Sequence, residues 1–276
     1  MGPVVVLGSR NKERVLAAVD EVLPFLQREF GVVATDLDGT LDLETTEAKW
    51  ALVFGGDGAL LNVSRRMGSR PLPTLAVNFG KLGFLTEVEF KQLNEALVRV
   101  KEGRTHLRNR MRLMAEMGPD WRHYALNDVV ITGVQSGRVF HVSAKIGGHE
   151  ALRYAGDGVV IATPTGSTAY SMAAGGPIVD PELHATVITP LCPHALSHRP
   201  LVVPGKQTIE LYLRDEDPAG RVVVDGQVSG DLQREHTLRV HEADEPFPLI
   251  RIGVRSHYSR LRKMLGWGGR PKYQQK

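Results

Sequence analysis

The feature that most constrains this chain is a change of rhythm near Gly103. Before it, strand-like and helix-like segments alternate. Val4 to Leu7 reads as a buried strand. Lys12 to Phe30 carries apolar residues at Val15, Leu16, Val19, Val22, Leu23 and Leu26, a helical spacing that Pro24 is positioned to bend or end. Ala51 to Phe54 is a strand, Leu60 to Met67 a helix, Pro73 to Val77 a strand and Phe90 to Lys101 a helix. Alternation of this kind predicts a parallel sheet with helices on its faces. From about Thr105 to Gly253 the segments are short and rich in valine, isoleucine and threonine: Asp128 to Thr132, Val139 to Ile146, Val159 to Thr163, Thr208 to Leu213, Val222 to Val224 and Thr237 to His241. Separated by Gly, Pro or Asp, they predict an antiparallel β domain. Tyr258 to Leu265 is helical again.

Composition narrows the function classes. The formal charge of +3 is too small to indicate nucleic-acid binding, and much of the excess sits in Arg255, Arg260, Arg262, Lys263, Arg270, Lys272 and Lys276, read as a solvated tail. The N-terminus lacks the pattern of a signal peptide, and no apolar run has membrane-spanning length, so neither a membrane nor a nucleic-acid partner is expected. Cys192 is the single cysteine, which fits a reducing, cytoplasmic compartment; without an adjacent base it reads as a small buried apolar residue.

The strand Ala51 to Phe54 delivers Gly55-Gly56-Asp57-Gly58 to the sheet edge where open α/β folds bind ligands. Glycines let the backbone approach a phosphate, and the following helix start offers free N–H groups. A carboxylate among phosphates needs a purpose: Asp57 either accepts a proton from an attacking hydroxyl or binds magnesium (Mg2+) on phosphate oxygens. Further on come Asn78-Phe79-Gly80-Lys81-Leu82-Gly83-Phe84-Leu85-Thr86, then Asn127-Asp128, then Tyr154-Ala155-Gly156-Asp157-Gly158. The run Thr163-Pro164-Thr165-Gly166-Ser167-Thr168-Ala169-Tyr170-Ser171 supplies hydroxyls, small residues and one aromatic face, suited to a nucleotide. Gly175-Gly176-Pro177 and Pro190-Leu191-Cys192-Pro193-His194 follow.

These residues together resemble the NAD kinase family in its bacterial form, over nearly the whole chain to Leu265-Gly266-Trp267. The glycine turn alone is shared with lipid kinases and phosphofructokinases; the Thr163 to Ser171 run with Gly175-Gly176-Pro177 is the specific part. The resemblance implies a Rossmann-like α/β domain over 1–103, a β-sandwich NAD-binding domain over 104–255, and a C-terminal helix and tail over 256–276 packing back on the first domain. It implies transfer of the γ-phosphoryl group of ATP to the 2′-hydroxyl of the adenosine ribose of NAD. Asp57 would be the proton acceptor, Gly58 would line its pocket, and Gly55, Gly56 and Gly58 would face the ATP phosphates with their magnesium. Asn127 and Asp128 would hold the dinucleotide and Asp157 its nicotinamide end. Thr168, Ala169, Tyr170, Ser171, Met172 and Ala173 would form a wall, with Tyr170 near an adenine ring. Ala155 and Gln227 would also touch NAD, and Arg138 or His141 would be a basic contact near phosphate. A homo-oligomer, dimer or tetramer, is implied as well. Three positions depart from the family: Asp128 replaces a more usual Glu, Asn62 stands where many members are basic, and Ala155 where some carry a long basic side chain.

Competing patterns are weaker. Asp36-Leu37-Asp38-Gly39-Thr40-Leu41 matches the first motif of haloacid-dehalogenase-type phosphatases, but later partners are missing, and a polar Asp-rich loop is the plainer reading. His194 and His198 have metal-site spacing, yet Pro193 and Pro200 bracket them and oppose a helix. Tyr154, Trp50 and Trp121 read as packing residues, and Trp267 as the anchor of the last helix. A lipid kinase would need an apolar cavity where the Thr163 to Ser171 run is polar, and a nucleotide-sensing module would have no use for Asp57.

Overall fold

The computed structural model describes residues 2–80, 83–135, 138–213, 219–253 and 256–267. Lys81 and Leu82 of the Asn78 to Thr86 run, and Arg255, Arg270, Lys272 and Lys276 of the basic cluster, lie outside these residues.

The first half builds β1 (Val4–Leu7), α1 (Glu13–Glu29), β2 (Val32–Asp36), β3 (Trp50–Phe54), α2 (Asp57–Arg66), β4 (Thr74–Asn78), β5 (Val88–Glu89), α3 (Leu93–Lys101) and β6 (His106–Arg110). The second builds β7 (Leu113–Met117), β8 (Trp121–Ala125), β9 (Asp128–Gly133), β10 (Phe140–Ile146), β11 (His149–Gly156), β12 (Gly158–Ala162), the short helix α4 (Tyr170–Ala173), β13 (Ala185–Leu191), β14 (Leu201–Pro204) and β15 (Ile209–Leu213). β16 (Ala219–Val224), β17 (Val228–Gln233), β18 (Leu238–Glu242), β19 (Phe247–Arg251) and α5 (His257–Met264) complete the chain.

The first sheet runs β2-β1-β3-β4-β19-β6, with β5 on β4. It is parallel from β2 to β19, and β6 closes it antiparallel. β6 and β19, from the stretch after residue 103, thus extend the N-terminal sheet. Both faces of this sheet are buried, as expected of parallel sheets covered by helices. Val4, Val6, Trp50, Leu52 and Phe54 pack with α1 and α3; the alternate residues Val5, Leu7, Ala51 and Val53 pack with α2. α1 runs through Pro24 rather than ending there, at the loss of one helical hydrogen bond.

The β domain has two antiparallel sheets of six strands, β11-β10-β15-β18-β7-β8 and β14-β13-β12-β9-β16-β17. Inward residues of both, such as Leu113, Val142, Leu211 and Val240 against Val129, Ile131, Ile161 and Val222, share one core. That is a β-sandwich. Tyr154 lies in this core, Trp121 packs against it, and Trp50 is fully buried in the first domain. No described helix is long and apolar enough to cross a membrane.

Several sequence expectations need correction. Asp36 closes β2 rather than sitting in a loop, and its carboxylate accepts from the amides of Asp38, Gly39, Thr40 and Leu41 and from Arg66 at 2.5 Å. Burial would raise its pKa, but the Arg66 bond and these amides outweigh burial and hold it below the ordinary value. The phosphatase motif is therefore a structural turn. Cys192 is exposed, not buried, because the turn after β13 places it at φ 44 and turns its thiol to the Asp157 carboxylate. Trp267 is 53% exposed and anchors nothing; α5 is held by buried Arg260 and Leu261. His194 and His198 occupy irregular chain, and His198 packs edge-on against Tyr154.

Candidate active site

Asp57 is the first residue of α2, where the chain leaves β3 through Gly55 and Gly56. A carboxylate there is favoured by the helix dipole. Its orientation is fixed by the loop after β4. Oδ2 accepts from the amide of Phe84 at 2.8 Å, and Oδ1 from those of Leu85 and Thr86 at 3.2 and 3.1 Å. The loop approaches so closely that a Cβ on Gly83 would lie 2.1 Å from Oδ1. An ionised carboxylate offers about four acceptor directions. Three are taken by the amides of described residues.

The β domain comes onto this helix through the Asp225-Gly226-Gln227 turn. Asp225 sits at φ 50, in the left-handed region, and Gly226 follows at φ 65. Gln227 donates to the Gly58 carbonyl at 2.8 Å and accepts from Arg65 at 2.7 Å. The buried Asp225 carboxylate accepts from the amides of Leu126, Asn127 and Asp128. It therefore positions the Asn127-Asp128 pair. Asp128 itself is buried beside Asp225, and burial followed by that neighbouring charge pushes its pKa up to about 7. Burial pushes the Asp225 carboxyl up as well, against the three amides that favour its ionised form.

The Thr163 to Ser171 run is fastened to the same place. Thr163 donates its amide to the Asn127 carbonyl and its hydroxyl to the Leu126 carbonyl. A Cβ on Gly166 would fall 2.0 Å from the Asn127 carbonyl oxygen, so only glycine allows this approach. Ser171 is buried and shares a hydrogen bond with Thr189 at 2.8 Å. Thr168, Ala169 and Met172 are half-buried, and Tyr170 and Ala173 are exposed. Exposed at 49%, Tyr170 has a free ring face rather than a packed one.

The remaining expected residues lie elsewhere. β12 has Asp128 opposite Ala162 at one end and Asp157 just before Gly158 at the other. Six residue steps of extended chain separate Asp157 from Thr163, about 20 Å. Ala155 pairs with His141 across β10 and β11, and exposed Arg138 precedes β10 at this far end. One chain thus brings together Asp57, Gly58, Asn127, Asp128, Gln227 and the Thr163 to Ser171 run. It sets Arg138, His141, Ala155 and Asp157 apart.

Comparison with known proteins decides the family. Residues 5–105 match the ATP-NAD kinase N-terminal domain and residues 126–252 the ATP-NAD kinase C-terminal domain. The chain belongs to the NAD kinase family. It is 34% identical to the NAD kinase of Rhodopirellula baltica over 97% of this chain and 87% of that one. With the NAD kinase of Heliobacterium modesticaldum it is 42% identical, covering 79% and 78%. Its fold resembles yeast NADH kinase complexed with NADH (TM-score 0.85, 22% identity, 100% and 90% covered) and an Archaeoglobus fulgidus NAD kinase in complex with ATP (TM-score 0.76, 24% identity, 96% and 97% covered). As a member of this family the chain is an enzyme that phosphorylates NAD to NADP.

The Asp57 amide cradle was missed in the sequence, although Gly83 within Leu82-Gly83-Phe84 is a signal that something approaches closely there. Asp225 carries no sequence signal of its own. Its role as the holder of Asn127 and Asp128 depends on a contact between residues a hundred positions apart.

Proposed function

We propose that the chain moves the γ-phosphoryl group of ATP to the 2′-hydroxyl of the adenosine ribose of NAD, with Asp57 as proton acceptor. The carrying observation is the Asp57 carboxylate, held by three amides. A ribose hydroxyl bonded to it is oriented for attack and loses its proton to the carboxylate as the phosphoryl group arrives, help of roughly 10²–10⁴-fold. The same amides hold the carboxylate still, so little reorganisation accompanies the transfer.

Asn127, protonated Asp128 and the Thr168 to Ala173 wall hold the adenosine half. Protonated Asp128 donates a hydrogen bond where the family's usual Glu has one more methylene of reach. Gly55, Gly56 and Gly58 admit the ATP phosphates. Among the described residues no cluster of three or more His, Cys, Asp or Glu side chains is placed to hold a metal. Mg2+ carried in on the phosphate oxygens needs only one or two protein carboxylates, and Asp57 beside the glycine turn is the candidate. Magnesium, when bound, supplies charge neutralisation on the transferring phosphate. The separation of Asp57 from Arg138, His141, Ala155 and Asp157 supports a homo-oligomer, in which one protomer's Ala155 to Asp157 edge completes the NAD pocket of another. The single exposed cysteine suits a cytoplasmic enzyme.

Incubation of the purified protein with ATP, Mg2+ and NAD should yield NADP. Asp57→Asn should keep the KM for NAD and lower kcat by at least a hundredfold. Wild-type turnover in that variant would remove Asp57 from this role, and absence of NADP with the wild-type protein would remove the reaction.

A further inference from the structure

A loop that turns successive amides toward one carboxylate must send carbonyls the other way, because N–H and C=O of a trans peptide point in opposite directions. The loop after β4 is in this state. The Leu85 amide donates to Asp57 Oδ1 at 3.2 Å, so the carbonyl of the same peptide, that of Phe84, points away from Asp57. Leu85 and Thr86 are buried, and carbonyls beside them need donors from the protein rather than from water. Inside the turn, the Thr86 hydroxyl accepts from the Gly83 amide at 3.0 Å. Outside it, one side chain from α5, 176 positions along the chain, supplies the donors. Arg260 Nη1 donates to the Phe84 carbonyl at 2.5 Å and to the Thr86 carbonyl at 3.4 Å.

Stability is a poor account of this arginine. Its side chain is buried at 5% exposure, and among the described residues its Nε and Nη2 have no hydrogen-bond partner. A buried cation with two unpaired nitrogens adds little to stability, since desolvation offsets what its bonds contribute. Burial, and then neighbouring Arg251, lower its pKa to about 10, with Glu87 and Asp57 opposing the fall, so it is charged at neutral pH.

We infer that Arg260 is a positioning residue for phosphoryl transfer, which fixes the Phe84–Leu85 peptide and, through it, the Asp57 carboxylate. This rests on the reading of Asp57 as proton acceptor. The peptide lies between a cation and an anion, and hydrogen bonds in such a series polarise and strengthen one another. Without the guanidinium, the Phe84 carbonyl must turn to find a donor, and that turn takes the Leu85 amide off Oδ1. The C-terminal helix thereby holds the site from behind without touching a substrate.

Steady-state kinetics of a small set of variants test this. Arg260→Met keeps an unbranched apolar stem and removes both bonds. It should lower kcat about tenfold or more, with the KM for NAD and for ATP within about threefold of wild type. Arg260→Lys restores a charged donor and should recover a large part of the lost turnover. Leu261→Ala loosens the same helix but removes none of these hydrogen bonds, and should keep kcat within about twofold. Asp57→Asn/Arg260→Met should be no slower than Asp57→Asn, since Arg260 acts through that carboxylate. Wild-type kcat in Arg260→Met, no recovery in Arg260→Lys, an equal loss in Leu261→Ala, or a further loss in the double variant each overturns the inference. Should Arg260→Met not fold, Arg260→Gln, two atoms too short to reach both carbonyls, takes its place in every comparison. The two readings fail separately. Wild-type turnover in Asp57→Asn removes Asp57 as proton acceptor, whereas a slow Asp57→Asn beside a fast Arg260→Met removes only the role of Arg260.

Discussion

At the residue scale, Asp128 carries the clearest pH signature. Its carboxyl titrates at about 7 in the fold and at 3.8 without it, because burial and Asp225 both disfavour its charge. The folded state therefore binds more protons than the unfolded state between these values, and this group's contribution to stability is complete below about pH 4 and falls as pH rises to about 7. Asp128→Asn removes that slope. Relative to wild type, the variant should gain roughly 2–4 kcal/mol between pH 4.5 and pH 8. Thermal melts of both proteins across that range check this, and parallel curves would show that Asp128 is not protonated in the fold. The sequence showed Asp128 as a candidate ligand contact, but its titration arises from burial and then from Asp225, ninety-seven positions away, and no local pattern encodes either.

At the element scale, most of the fold was legible because hydrophobic period and glycine punctuation suffice for it. β1 and β3 are continuous apolar runs, β4 carries Leu75, Ala76 and Val77 between polar ends, and α1 shows its buried stripe in Val15, Val19, Val22 and Leu26. What was not legible is how loops lock elements together. The Asp36 turn looked like a catalytic motif because an Asp that collects backbone amides and an Asp that attacks phosphate have the same neighbours in sequence. The loop at 83–86 is the opposite case, a plain Gly-Phe-Leu-Thr string that holds the Asp57 carboxylate proposed as proton acceptor. Its role gives a prediction. Gly83→Ala places a Cβ where the Asp57 carboxylate now lies, so the carboxylate or the loop must move. A shift of about 1 Å in a reacting group costs on the order of 10²-fold in rate. Steady-state kinetics should show kcat reduced by that order while the melting temperature falls little, since α2 and β4 are untouched. A variant with normal kcat would show that the loop accommodates the methyl group and that close contact with Asp57 is not required.

At the scale of the whole molecule, the site exists only because two bodies with separate cores are held in one register. Few residues do this. Gln227 ties the β-sandwich to Gly58, and Arg112 ties it to the other end of the same helix. Arg112 is fully buried, donates from Nε to the Glu245 carbonyl at 2.8 Å and from Nη1 to the Ser64 carbonyl at 3.1 Å, and lies 4.2 Å from the Tyr124 ring centre. Burial, opposed by Tyr124 and Glu245, lowers its pKa to about 10, so it remains charged at neutral pH. Among the described residues no carboxylate is hydrogen-bonded to it; two carbonyls and an aromatic face stabilise the cation. Replacement by methionine keeps the volume and removes the charge, but leaves those two buried carbonyls without donors. Each buried carbonyl left without its donor costs roughly 1–3 kcal/mol. For a chain of this length Arg112→Met should lower the melting temperature by about 10 °C. Because the lost contacts anchor α2 rather than either core, the surviving folded protein should show a raised KM for NAD, whose proposed contacts come from both bodies. A variant that melts early yet binds NAD normally would mean that Gln227 and Asp225 alone set the register of the site.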